Sequence, residues 1–184
     1  TATGAVRDDI KTLLRLVSPL VVTTGFDRPN LFFSVMQPKN KSIELMKLIK
    51  ERKNESGIVY CSTRKAVEEV CELLQENGFA ATRYHAGLDE NERRRNQDDF
   101  VYDRATIMVA TNAFGMGIDK SNVSFVIHYN MPKNMESYYQ EAGRAGRDGS
   151  PANCLLLFSM GDVQTAKYFI QNSYDNDELT PEQA

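Results

Sequence analysis

"SGIVYCSTRKAVEEVCELLQENGFAATRY", residues 56–84, holds the period change that decides the fold. Residues 56–62 are a short apolar run behind a glycine, as in a strand buried on both faces. Ser62 or Thr63 then offers a hydroxyl to cap a helix over roughly 64–77, which Asn77-Gly78 ends. "AATRY" (80–84) is extended again. Strand, helix of some ten residues, strand is a βαβ unit, and such a unit implies a parallel sheet.

The same alternation runs outward in both directions. Downstream, a charged helix is predicted over 89–101, buried strands at "TIMVAT" (106–111) and "VSFVIHY" (123–129), a helix over 134–142, a strand at "NCLLLFS" (153–159) and a helix over about 161–171. Upstream, "KSIELMKLIKER" is an amphipathic helix and "LFFSVMQP" (31–38) is extended; Pro29 makes 26–30 a turn. A short helix over 7–17 and a strand in "PLVVTTGF" (19–26) come first. The fold class is α/β: a three-layer domain whose central sheet is mainly parallel and flanked by helices. In open parallel sheets ligands bind beyond the carboxyl ends of the strands. That ranks the loops 61–65, 84–88, 110–120 and 129–133 as candidate sites.

A chain of 184 residues, 41% hydrophobic and 26% charged, suits one domain with a real core. No apolar run reaches the ~18 residues of a membrane span, and no signal peptide opens the sequence. Cys61, Cys71 and Cys154 form no C-x-x-C pair, so they read as small buried hydrophobes in a reducing, intracellular compartment. The net charge is −3, but residues 172–184 carry four acids and no Lys or Arg; the rest of the chain is at +1. A near-neutral body still binds nucleic acid if its cations converge on one face.

Several chemistries are missing. There is no G-x-x-x-x-G-K-[ST] phosphate loop, no H-E-x-x-H, and with only His85 and His128 no histidine metal set. Gly115 and Gly117 give G-x-G without the rest of a dinucleotide fingerprint. A complete nucleotide hydrolase is therefore not expected in this chain.

What remains is concentrated in loops. Ser62-Thr63-Arg64-Lys65 puts hydroxyls and cations at a helix N-terminus, which suits a phosphate or a plain solvated cap. His85 follows a strand and reads as a phosphate contact or a locally satisfied loop histidine. Thr111 stands where a strand meets "TNAFGMGIDK", whose glycines let a backbone approach closely, and Asp119 can accept from a ribose hydroxyl or close a turn. Arg93-Arg94-Arg95 is ringed by acids and reads as a solvated face. "YYQEAGRAGRDGSP" (138–151) sets Arg144 and Arg147 among three glycines. Each glycine costs about 0.5–1 kcal/mol inside a helix, so something uses the backbone freedom. Arginine is a rigid, permanently charged fork; the pair serves either to neutralise a transferring phosphoryl group or as a salt-bridge hub.

At these residues a family resemblance becomes visible. The chain resembles the second RecA-like lobe of RecQ-family DNA helicases of superfamily 2, up to about residue 171. "SGIVYCSTRK" is similar to motif IV, "IMVATNAFGMGIDK" to motif V, "SYYQEAGRAGRDG" to motif VI, "YHAGL" to the short motif after IV, and "GFDRPN" to the segment entering the second lobe. Thr1-Ala2-Thr3 resembles the tail of motif III. The resemblance thus implies a first-lobe tail and linker over 1–24, the second lobe over 25–171 and a polar acidic tail over 172–184. DEAD-box RNA helicases share the architecture but usually have His where Tyr139 stands and lack "FGMG".

By resemblance, Arg147 is an arginine finger on the γ-phosphate, Arg144 a second phosphate or interface arginine, and Gln140 couples the site to DNA. Gly117 and Asp119 face the ribose side of ATP. Ser62, Arg64, His85 and Thr111 hold the backbone of single-stranded DNA. ATP with Mg2+ is bound mainly by the first lobe, which is also this lobe's partner, and zinc and membrane are not expected. The implied activity is 3′–5′ unwinding of duplex DNA along a single strand, in the cytoplasm and associated with the nucleoid if bacterial, with the isolated fragment inactive. Two other readings stay open: a non-enzymatic nucleic-acid clamp, and a metabolic α/β enzyme sharing the sheet.

Overall fold

The computed structural model describes residues 4–22, 27–115 and 120–174. Six strands, β1 (Leu31–Met36), β2 (Ser56–Tyr60), β3 (Ala81–Tyr84), β4 (Ile107–Ala110), β5 (Val123–His128) and β6 (Ala152–Leu157), form one sheet in the order β1-β6-β5-β2-β4-β3. Every pairing is parallel. The connecting helices are α2 (Lys41–Glu51), α3 (Arg64–Glu76), α4 (Glu90–Val101) and α5 (Met135–Ala142); α1 (Gly4–Leu13) precedes the sheet and α6 (Met160–Tyr174) follows it.

Two cores result, one on each sheet face, because strand side chains alternate. Val59, Val109, Phe125 and Ile127 meet α2 and α3 through Leu45, Leu48, Val67 and Leu74. Ile58, Tyr60, Met108 and Val126 face the other way, against Phe100 of α4, Ala142 of α5 and Phe114. Gly57 sits so close to the Phe125 ring that a Cβ there would overlap it. That explains a glycine inside a fully buried strand.

Side-chain caps start the helices where polar residues meet apolar periodicity. Asn40, Thr63, Asp89 and Asn134 each accept from the backbone N–H three residues on, at 2.8–3.1 Å. Of the two capping candidates ahead of α3, Thr63 is the one used.

The first 22 residues differ from expectation. The helix spans Gly4–Leu13 rather than 7–17, and Pro19–Val22 is irregular instead of opening a strand; the rest of that segment lies outside the described residues. Leu20 and Val22 are exposed, no strand among the described residues pairs with them, and apolar composition without a partner makes no strand. The three cysteines are free and buried, and burial pushes Cys61 up to about 12 and Cys71 and Cys154 up to about 11, so all three are unreactive thiols.

Candidate nucleotide and nucleic-acid interface

Strand register gathers one set of candidates on a single rim. Tyr60 pairs with Ala110 and with His128, and Ala110 pairs with Tyr84, so β2, β4, β5 and β3 end level. Ser62, Thr111 and His85 therefore emerge side by side from the carboxyl end of the sheet. Arg64 opens α3 with its guanidinium arm beside Gly87. Ser62 and Arg64 are exposed and Thr111 is half-buried. Thr111 N donates to Tyr84 O at 3.1 Å, and its carbonyl accepts from Phe114 N at 3.0 Å.

His85 is different. It is buried, and both ring nitrogens are engaged: Nδ1 accepts from Gly87 N at 3.1 Å, so the proton sits on Nε2, which donates to Glu68 Oε1 at 2.6 Å. Glu68 also pairs with Arg83 at 2.7 Å. Geometry makes His85 the peg that shapes the 85–89 loop, with no nitrogen left for a strand phosphate.

Behind the rim lies a polar network that sequence reasoning missed. Ser62 N donates to Asn130 Oδ1 at 3.1 Å, and Asn130 Nδ2 donates to Asp162 Oδ1 at 3.2 Å. Asp162 Oδ2 takes Lys41 Nζ at 2.6 Å and the Ser159 N–H and hydroxyl at 2.7 and 2.8 Å. Burial raises the Asp162 carboxyl, but these donors outweigh it and hold the group below the usual 3.8. Beside the network a cavity of about 430 Å³ lies between β2, β5, α5 and α6, lined by Ser62, Asn112, His128, Lys133 and Glu141 among others. His128 is buried there, its Nε2 2.9 Å from Glu141 Oε2. The partners are 68, 32 and 121 positions apart along the chain, so no local pattern signals them.

The arginine loop lies elsewhere. α5 runs back from the carboxyl end, and the 143–151 turn sits at the amino end of the sheet, where Gly146 N donates to Val123 O at 2.8 Å. Arg144 is half-buried; its Nη1 donates to Gly115 O, and its Nε has no partner among the described residues. Arg147 is exposed beside it, on a recess shared with Lys120 and Val123. Gln140, four residues ahead of Arg144, is exposed and bonded to Glu136 at 3.1 Å. The carboxyl-end rule thus ranks the rim loops but not this turn.

Residues 111–115 lead off the rim, and Lys120 stands beside the arginine turn. Phe114 is buried and accepts the Tyr60 hydroxyl on its carbonyl at 3.2 Å. At the far end Lys120 is buried over the Phe100 ring and reaches Asp103 Oδ1 at 2.6 Å. Gly117 and Asp119 lie outside the described residues. Among the described residues no group of His, Cys, Asp and Glu is placed to hold a metal ion, and no helix is long and apolar enough to cross a membrane.

The helicase conserved C-terminal domain matches residues 40–149 of this sequence. The chain belongs to that family. Its relatives are of the RecQ type: it is 47% identical to the ATP-dependent DNA helicase RecQ of Bacillus subtilis, over 94% of this chain and 29% of that protein. It is 46% identical to the ATP-dependent helicase wrn-1 of Caenorhabditis elegans, over 97% of this chain and 18% of that protein. The helicase SGS1 of Saccharomyces cerevisiae is 41% identical over 96% and 12%. The chain thus spans less than a third of these relatives' length. In fold, a chain of Saccharomyces cerevisiae Dbp5 bound to Gle1 and IP6 superposes with a TM-score of 0.75 at 24% identity, covering 97% of this chain and 47% of that one. The RecQ-type helicase C-terminal domain is therefore a RecA-like α/β lobe, as its sequence resemblance implied.

Proposed function

We propose that this domain is the second motor lobe of an ATP-dependent 3′–5′ DNA helicase. The observation that carries the reading is the separation of two polar sites on one sheet: Arg144 and Arg147 at the amino end, and Ser62, Arg64 and Thr111 at the carboxyl end. A motor needs such a pair, one side meeting the nucleotide and the other the strand.

Arg147 neutralises charge on the transferring phosphoryl group, and Arg144, fixed on Gly115, sets the distance at which this lobe meets the first. An exposed guanidinium beside a half-buried one fits a polyphosphate docked from outside, and in this reading the first lobe holds Mg2+ and most of the nucleotide. Bound ATP with Mg2+ supplies the free energy of hydrolysis. Gln140 and Asp119 line the same interface by family position, and Ser62, Arg64 and Thr111 hold single-stranded DNA by its phosphates while His85 shapes their neighbouring loop. Domain limits of 25–171 and a cytoplasmic or nucleoid setting belong to this reading.

The test is ATP hydrolysis by this chain alone and by the protein joining it to a first lobe, with and without single-stranded DNA. The chain alone shows none above buffer, and the two-lobe protein turns over, with DNA stimulation, and opens duplexes bearing a 3′ tail. Tight DNA binding without turnover in the two-lobe protein would make the domain a clamp.

A further inference from the structure

The segment Arg28-Pro29-Asn30 sits beside the arginine loop, more than a hundred positions away in sequence. Pro29 and Asn30 form a turn that Leu31 N closes by donating to Arg28 O at 3.0 Å, and across it Arg28 Nε reaches Asn30 Oδ1 at 3.5 Å. Arg28 Nη1 donates to Gly143 O at 3.3 Å, and Nη2 to Ala145 O at 2.9 Å and Gly146 O at 3.0 Å. Asn30 Nδ2 donates to Gly146 O and to Ser150 O, both at 2.9 Å. Asn30 O accepts Ala152 N at 2.8 Å, tying the same segment to the start of β6.

Four carbonyls of the 143–150 turn are thus held by two side chains, and Arg144 and Arg147 lie inside the held stretch. Gly143 caps the C-terminus of α5, where carbonyls have no helical partner and a cation is favoured by the helix dipole. A planar guanidinium reaching three carbonyls fixes the turn's orientation as a single point charge would not. By contrast, the turn's own bonds are short-range, Gly149 N to Gly146 O at 3.1 Å and Ser150 N to Asp148 Oδ1 at 2.9 Å.

We infer that Arg28 and Asn30 are positioning residues for the arginine pair: their clamp on the turn's carbonyls aims Arg144 and Arg147 at the interface with the first lobe. The inference rests on the motor reading above. Neither side chain touches the nucleotide; both act through the backbone that carries the arginines.

The experiment uses the two-lobe protein with Arg28→Ala and Asn30→Asp, each alone and combined with Arg147→Ala. Asn30→Asp keeps shape and the acceptor facing Arg28 but removes both donors, so it remains informative if Arg28→Ala fails to fold. Expected is a kcat for DNA-stimulated ATP hydrolysis lowered ~10–100-fold, as for a catalytic group misplaced by about an ångström, with ATP KM and single-strand Kd within about threefold. Combined with Arg147→Ala, the losses fall short of multiplying, because a finger that is absent cannot also be misaimed. Losses that multiply, or a raised KM at unchanged kcat, overturn the inference. A slow Arg147→Ala beside fast Arg28→Ala and Asn30→Asp overturns it alone; a fast Arg147→Ala overturns the finger reading and the inference with it.

Discussion

Alanine at Gly146 should destabilise the domain far more than alanine at Gly149, although both glycines sit in the same turn with positive φ, +59° and +86°. An L-residue in the left-handed region costs about 1–2 kcal/mol, and both variants bear that strain. A Cβ at Gly146 would also stand 2.5 Å from Asn30 Nδ2 and 2.7 Å from Ser150 O, whereas nothing lies within 4 Å of one at Gly149. Relieving the crowding moves Asn30 off the Gly146 and Ser150 carbonyls, at about 0.5–1.5 kcal/mol per hydrogen bond. The expected totals are ~2–5 kcal/mol for Gly146→Ala and ~1–2 kcal/mol for Gly149→Ala. Urea unfolding of the chain, followed by circular dichroism at constant m-value, reads the difference as a shift in midpoint. Equal shifts for the two variants would refute the claim that the turn is packed against Asn30.

Asp162→Asn should flatten the acid side of the stability curve. The folded protein holds this carboxyl below its ordinary 3.8, so its contribution is full above that value and is lost as pH falls through the lower folded value; unfolding midpoints measured from neutral pH downward check the sign. Arg64→Ala and Thr111→Ala should weaken single-stranded DNA binding in the two-lobe protein and leave ATP affinity within about twofold, Arg64→Ala also lowering the salt slope by about one unit. A variant that loses ATP affinity and keeps DNA affinity would contradict the placement of the strand grip at the carboxyl rim.

The inner strands were legible because a strand covered on both faces is an uninterrupted apolar run: 56–60, 107–110 and 123–128 lie within the stretches read as such, and 152–157 starts one residue ahead of its own. The cap ahead of α3 was legible as Ser62 or Thr63, since capping is local chemistry, and the structure uses Thr63. Residues 19–22 misled for the complementary reason: an apolar run carries no information about whether a neighbouring strand exists to pair with it. Sheet order is equally silent in the sequence, and only the fold places β4 between β2 and β3. At the site, the residue types of the rim and the arginine turn stood out, but their supports did not. Asn130, Asp162 and Lys41 behind Ser62, and Arg28 and Asn30 behind the arginines, act over separations of 32 to 121 positions. His85 was equally balanced between contact and local satisfaction until its two nitrogens were placed.

DNA-stimulated ATP hydrolysis by the two-lobe protein, wild type beside Arg147→Ala, reaches the proposed motor most directly. Turnover in the wild type that falls at least a thousandfold in the variant, with folding and single-strand affinity kept, makes this turn the trans half of an ATP site, in line with the ~10³–10⁵-fold contribution of an arginine finger. Turnover unchanged by the substitution, or lost only together with the fold, would make the paired arginines a structural hub and contradict the motor assignment.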